Sequence, residues 1–304
     1  MYSPFAVPGT ARPFHDRIYA GEILRISDSP SMAALVGYAR EMLEAALHPW
    51  LPQHIHRHLS HEQQTVVFAR CQQQFADSPE IHRLWRDVIE SLGFDRQTLA
   101  FDRLHLRFQP HREPDALGPR ARTTATIAFH RDTWGSNLYA QTNWWAPIYP
   151  ITAGRTFALY PGLWQRPLHN SSAGFDMRAI LQRSHQDGRN SVDADEAIPH
   201  LLEAIAAQEG NAVEIEPGSL IAFSGAHAHA GVGNSTGLTR LSFETRSVLI
   251  ADVQAGLGAP NIDGHAPWQT PGLFRRMSDG KRLNEVLGCG FIEPYHRPST
   301  VADT

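Results

Sequence analysis

Seventeen histidines stand in a chain of 304 residues whose only lysine is Lys281, and they raise the question of which could hold a metal ion. Two imidazoles and one carboxylate on one face of a divalent ion leave the opposite positions open to substrate and dioxygen, as oxidation at a single iron requires. A His-x-Asp pair on a strand offers two of the three, because residues two apart point to the same face, about 6–7 Å apart along the chain. With this many histidines roughly one such pair is expected by chance, so context must choose. Three matches occur: His130-Arg131-Asp132, His185-Gln186-Asp187 and, more loosely, His111-Arg112-Glu113. His185 in RSHQDGRN and His111 in a proline-flanked charged stretch read as solvated loops. His130 and Asp132 end the β-type run TTATIAFHRDTW, with Ile127 and Phe129 expected on the packed side and Ala128, His130 and Asp132 on the other.

A third ligand is best supplied by IEPGSLIAFSGAHAHAGVGNSTGLTRLSFETRSV. Here an apolar strand leads into His227 and His229, which alternate onto one face, and a Gly/Asn/Ser turn reverses the chain into a second strand. On that strand Arg240, Ser242, Glu244 and Arg246 share one face, with Leu241 and Phe243 on the other. An inward guanidinium is costly without an anion. Either Arg240 pairs with Glu244 or another acid, or it receives a dicarboxylate, with Ser242 adding a hydroxyl.

Elements must position these residues. Ser29-Pro30 reads as N-cap and first helical residue ahead of Leu35, Ala39, Met42, Leu43 and Ala46 at helical spacing. Ser60 with Gln63 is a capping-box pattern, and Ser78-Pro79 opens a third helix carrying Ile81, Leu84, Trp85, Val88 and Ile89. After Gly93 come short β-type runs at 99–108, 123–134, 141–148, 156–160, 212–223 and 238–250. Helices first and strands afterwards predict an α+β chain, mainly β, with an antiparallel sheet or sandwich. Residues 162–210 read as an insertion or lid with a helix at 197–208, and the tail after Ala259 as loop with a short helix near Leu283. One domain is expected: a helical cover at 1–98, a core at 99–250 and an extension at 251–304.

Composition excludes several classes. With 42% hydrophobic and 19% charged residues the chain is globular, neither disordered, collagenous nor coiled coil. A formal net charge of −4 argues against nucleic-acid and anionic-membrane partners. Cys71 and Cys289 are too few for a disulfide framework or a thiolate zinc site. The start MYSPFAVPGTARPFHDR lacks an apolar signal core and no run approaches about 20 apolar residues, so a cytoplasmic protein is expected.

FHRDTW, NWWAPIYP, TFALYPGLW, PGSLIAFSGAHAHAGVGNS and TRLSFETR, in this order, resemble the iron(II)- and 2-oxoglutarate-dependent dioxygenases, more narrowly the bacterial phytanoyl-CoA dioxygenase-like group. The likeness spans about 123–247, with 162–210 unmatched. It implies a double-stranded β-helix (jelly-roll) core with the N-terminal helices packed on the larger sheet. By the same resemblance His130, Asp132 and a distal histidine bind iron(II), and Arg240 with Ser242 takes the far carboxylate of 2-oxoglutarate. His229 is chosen as the distal ligand because the small-residue turn Ala230 to Ser235 follows it and one tight reversal separates it from Arg240; His227 is the alternative. Asp132 supplies the carboxylate that related halogenases replace to admit chloride. The implied outcome is therefore hydroxylation or another oxidation by dioxygen, with release of succinate and carbon dioxide.

Asn143 is expected beside the cosubstrate, since an amide among strand aromatics needs a partner if buried. Trp134, Trp145 and Arg246 are expected beside a small-molecule substrate, an amino-acid-derived or other natural-product intermediate; Trp144 and Tyr160 are further candidates, although strand aromatics are more often core. Two other readings compete. A cupin-type metal enzyme without 2-oxoglutarate would make Arg240 structural, and a non-catalytic jelly-roll binding module would use Trp144, Trp145 and Trp164 as a platform. HIHRHLSHEQQ gathers His54, His56, His58 and His61 for zinc, but without a cysteine or carboxylate at clear spacing they read as solvated or capping residues.

Overall fold

The computed structural model describes residues 2–4, 11–113, 126–187, 196, 198–205 and 209–295. Four helices come first: α1 (Ala11–Tyr19), α2 (Pro30–Leu47), α3 (His61–Asp77) and α4 (Pro79–Ser91). The last three begin at the predicted caps. Ser29 Oγ accepts the Met32 N–H, Ser60 and Gln63 exchange both bonds of a capping box, and Ser78 Oγ accepts the Ile81 N–H. Helix α1 lies outside the predicted helices; Phe14 and Ile18, one turn apart and fully buried, anchor it.

Strands follow as β1 (Ser3–Pro4), β2 (Leu24–Ile26), β3 (Leu99–Phe101), β4 (His105–Gln109), β5 (Thr142–Pro147), β6 (Phe157–Leu159), β7 (Asn211–Ala212), β8 (Leu220–Ser224), β9 (His229–Gly231) and β10 (Arg240–Leu249). The tail adds β11 (Trp268–Gln269), β12 (Arg275–Arg276) and β13 (Glu293–Pro294). The large sheet runs β1-β2-β8-β5-β10-β3-β12, with β4 also on β10, and only the β1–β2 pairing is parallel. Along one edge β10 pairs with β5, and along the other with β4 and then β3. The run 99–108 is thus two strands, broken where the Asp102 carboxylate accepts the Arg103 N–H. A smaller sheet runs β7-β6-β9.

Side-chain alternation along the central strands sorts the core into two layers. Trp144, Ala146, Leu220, Ala222, Leu241 and Phe243 pack with the helices, where Phe14 stacks on Trp144 at 5.2 Å and Phe68 on Phe108 at 4.0 Å. Trp145, Ile221 and Phe223 face the other way and pack on Phe157, Leu159 and Val213 of the smaller sheet and its approach. Of the described helices, none is long and apolar enough to cross a membrane.

Two predicted elements differ. In the run 123–134, residues 123–125 lie outside the described residues, 126–129 form no ladder, and His130 makes a single bridge. Asp132 then takes right-handed helical angles (φ −62°, ψ −32°) and opens α5 (Thr133–Ser136), so strand alternation stops before it. Of the helix at 197–208, residues 197 and 206–208 lie outside the described residues and 198–205 are not helical. Their backbone pairs across instead: Ser171 N–H donates to His200 O and Leu202 N–H to His169 O. The insertion's helix is α6 (Met177–Gln186), capped by Asp176; its exposed last turn, not a loop, holds His185. The tail adds α7 (Ile250–Ala255) and, as predicted near Leu283, α8 (Leu283–Leu287).

Candidate metal centre

One narrow antiparallel pair joins β9 to the chain ahead of α5. His130 N–H donates to His229 O at 3.0 Å and His229 N–H to His130 O at 2.9 Å. Directly opposed residues send their side chains to the same face, and the two rings lie 4.2 Å apart, centroid to centroid. Each ring is oriented by the same local bond: His130 Nδ1 to Ala128 O at 2.9 Å and His229 Nδ1 to His227 O at 3.0 Å. A carbonyl only accepts, so Nδ1 carries the proton and Nε2 the lone pair, the state in which imidazole binds metals.

Asp132 reaches the same spot by a different route. Its N–H donates to Gly225 O at 2.9 Å, in the turn between β8 and β9, and its Oδ1 stands 3.5 Å from His130 Nε2. The donor atoms of His130, Asp132 and His229 all lie within 4.8 Å of one another, the one such group of His, Cys, Asp and Glu among the described residues. Burial alone would raise the Asp132 carboxyl, but the imidazoles of His130 and His229 hold it well below the carboxylate range. Burial, then the neighbouring His130, pushes His229 down to about 4. Near neutral pH the centre thus offers a carboxylate and, at His229, an uncharged imidazole.

His227 does not share the face of His229. The chain turns between Ser224 and His227, whose N–H donates to Ser224 O at 3.0 Å, and strand alternation does not carry through a turn. Its fully buried ring lies 4.4 Å from that of Trp164, and Nε2 donates to Gly21 O at 3.1 Å. Among the decoys, His111 is half-buried rather than solvated, its Nδ1 accepting the Gly237 N–H at 3.1 Å. In the histidine-rich stretch His56 binds Thr239 Oγ1 at 2.9 Å, just ahead of β10, while His58 is exposed and stacks on Trp50.

The three residues border a cavity of about 190 Å³ between the sheets, walled by Ile127, Trp145, Phe157 and Phe223. Ile127, expected on the packed side, faces it because 126–129 do not alternate as a strand. From the inner face of β10, Arg240, Glu244 and Arg246 line the same cavity. Arg240 is 8% exposed, and neither its Nε nor its Nη1 has a hydrogen-bond partner among the described residues; burial lowers it to about 10. Glu244 acts on Arg240 through its charge without a salt bridge between them; its Oε1 is taken by Arg107 of β4 through both Nε (2.9 Å) and Nη2. Ser242 Oγ, fully buried two residues from Arg240, also lacks a partner.

Of the other expected contacts, Asn143, Trp145 and Arg246 line the cavity and Trp134 does not. Asn143 borders the cavity, and its amide also donates to Asp132 Oδ2. Arg246 is tied to Asp102, which His105 also approaches at 3.3 Å. Trp134 is fully buried away from the cavity, donating from Nε1 to Asp263 Oδ1 at 2.8 Å. Trp145 does line it. The Trp144, Trp145 and Trp164 platform does not form: Trp144 faces the helices, Trp145 the space between the sheets, and Trp164 lies on His227. Tyr160 packs edge-on against Phe129.

Four features escape the sequence reading. Gln141 donates from Nε2 to Asp132 Oδ2 at 3.1 Å; its place two residues before Asn143, on the same side of the chain, is a signal that could have found it. The Arg107–Glu244 and Asp102–Arg246 pairs depend on which strands neighbour β10, which spacing does not encode. Arg131, between the two ligands, has Nε 3.1 Å from Asp263 Oδ2 and donates to Ala226 O, Leu163 O and Arg166 O.

No family model and no curated protein matches the chain. Among solved structures it is similar to the apo form of ThoJ, a non-heme monooxygenase, at 15% identity over 72% of this chain and 70% of that one, with a TM-score of 0.38. EvdO2 from Micromonospora carbonacea var. aurantiaca, complexed with 2-oxoglutarate, matches at 13% identity over 80% and 93%, with a TM-score of 0.44. The apoform of EctD from S. alaskensis matches at 14% identity over 90% and 86%, with a TM-score of 0.41. Likenesses at this level decide neither fold nor activity.

Proposed function

We propose that this chain is a non-haem iron(II), 2-oxoglutarate-dependent oxygenase that oxidises, most simply by hydroxylation, an unactivated C–H bond of a small molecule. The observation that carries the reading is one cavity holding both the His130–Asp132–His229 group and the guanidinium of Arg240, whose Nε and Nη1 lack hydrogen-bond partners. The donor set fits a divalent iron: two imidazoles whose Nδ1 protons are committed to carbonyls, and an ionised carboxylate. The orphaned Nε and Nη1 of Arg240, which lines the cavity, fit a carboxylate approaching from it, and Ser242 Oγ, buried just behind the lining, has its bond still to give. Bound together, iron and 2-oxoglutarate supply the oxidation of an inert C–H by dioxygen, with succinate and carbon dioxide released.

The residues of the chain divide the remaining work. His130, Asp132 and His229 hold the metal, and Arg240 with Ser242 fixes the far carboxylate of the dicarboxylate. Trp145, Phe157 and Phe223 keep water from the space between. In this reading the strand order β8-β5-β10-β4, faced by β7-β6-β9 and the His130 bridge, is a double-stranded β-helix in one domain, with 162–210 as its cover.

Anaerobic addition of iron(II) and then 2-oxoglutarate tests the proposal. A weak visible charge-transfer band requiring both is expected, and Arg240→Met should lose it while keeping iron affinity. Without ligand the same variant should melt higher than the parent, since a buried charge with two unbonded nitrogens has been removed. A spectrum that depends on iron but ignores 2-oxoglutarate would favour the cupin-type reading, and absence of iron binding would favour a binding module.

A further inference from the structure

Asp132 has two carboxylate oxygens, and they do not stand in equivalent surroundings. Oδ1 faces His130 Nε2 at 3.5 Å. Oδ2 accepts two N–H bonds from the start of β5, one from Gln141 Nε2 at 3.1 Å and one from Asn143 Nδ2. The second N–H of Gln141 Nε2 goes to Asn143 Oδ1 at 2.9 Å, closing a ring of three side chains. Both amides are buried, Gln141 at 1% and Asn143 at 7% exposure, which strengthens these bonds relative to exposed ones. Their orientation is forced. Turning Asn143 would set its carbonyl oxygen against the carboxylate and its NH2 against that of Gln141; turning Gln141 would bring its oxygen against two other oxygens.

The backbone leaves room for this ring at one glycine. A Cβ on Gly225 would stand 3.0 Å from Gln141 Nε2 and 3.4 Å from Asp132 Cβ. The same glycine accepts the Asp132 N–H and donates its own N–H to Gln141 O, so one residue of the β8–β9 turn sets the height of both partners.

We propose that Gln141 and Asn143 are positioning residues that occupy Oδ2 of Asp132 and make it a one-oxygen ligand. The inference rests on the oxygenase reading. A carboxylate binding through both oxygens would take two positions on an octahedral ion; held to Oδ1, it leaves one more position open for a chelating cosubstrate together with dioxygen. The amides do not touch the reacting atoms and act through Asp132.

Cobalt(II) is the probe, titrated into metal-free protein carrying 13C-labelled aspartate, with infrared difference spectra recorded as the ion binds. In the parent, the carboxylate stretches that respond to cobalt should be widely split, as for one-oxygen coordination. In Asn143→Leu and Gln141→Met the splitting should narrow and cobalt affinity should fall about 10–100-fold, the usual cost of losing a bond that orients a metal ligand. Gly225→Ala presses on Gln141 without removing either amide and should move both readouts the same way. Circular dichroism selects the variants that fold, and any one of the three suffices. Parental splitting and affinity within twofold in a folded variant would overturn the positioning role alone. A parent that binds no cobalt would overturn the oxygenase reading and this inference with it.

Discussion

At the scale of the residue, the centre separates two histidines that the sequence leaves paired. His229 has Nε2 directed at the group while His227 is spent on Gly21 O and Trp164. Metal titration of His229→Ala should therefore show a loss of affinity of about 100-fold or more, whereas a folded His227→Asn should bind as the parent does; the reverse order would move the ligand to His227. His227 has a separate signature. Burial pushes it down to about 3 from an ordinary 6.5, so the folded protein keeps it neutral where the unfolded chain takes up a proton. Its contribution to stability is present above about pH 6.5 and is lost as pH falls toward the folded value. Tm should drop on acidification through that window, less steeply in His227→Asn; parallel slopes would rule the residue out. His130, Asp132 and Arg240 were legible because residue type and spacing mark them. The Arg107 that takes Glu244 was not, because that pairing spans 137 residues of sequence.

At the scale of the element, caps and periodicity were read well where the information is local. Ser29, Ser60 and Ser78 start α2, α3 and α4, and the alternation in β5, β8 and β10 divides Trp144 from Trp145 between two layers. It failed where tertiary hydrogen bonds overrule local pattern: 198–205 pairs with 169–171 instead of coiling, and Asp132 leaves the strand to open a helical turn. The join between β9 and the His130 segment depends on closeness rather than on side chains. A Cβ on Gly231 would lie 2.6 Å from Thr126 Cγ2 and 3.1 Å from Ile127 N. Gly231→Ala should thus push β9 off its neighbour, costing about 1–3 kcal/mol of stability and weakening metal binding as His130 and His229 separate. Denaturant titration and metal titration of the same variant measure the two effects, and an unchanged metal affinity would mean that the bridge tolerates the methyl group.

At the scale of the whole molecule, the metal segment, the insertion and the tail meet at Asp263. Its carboxylate receives Arg131, the Trp134 Nε1–H and the Leu168 N–H, while its carbonyl accepts Asn170 Nδ2. Removing one member of a buried pair leaves the other charge stranded, so Asp263→Ala should cost about 3–5 kcal/mol, and the double change Arg131→Met with Asp263→Leu less; chemical denaturation decides between them. Further along, the Arg178 guanidinium on α6 sits 3.6 Å over the Trp268 ring, tying the insertion to the tail a second time. Because Arg131, between His130 and Asp132, is also the partner of Asp263, the stretch around Asp263 cannot open without disturbing the candidate centre. In native-state hydrogen exchange, amides near 131, 168 and 263 should open together with a single free energy and a single denaturant dependence, as one cooperative unit. A stretch around Asp263 that looks like loop in the sequence would then be as slow to breathe as the segment of His130 and Asp132.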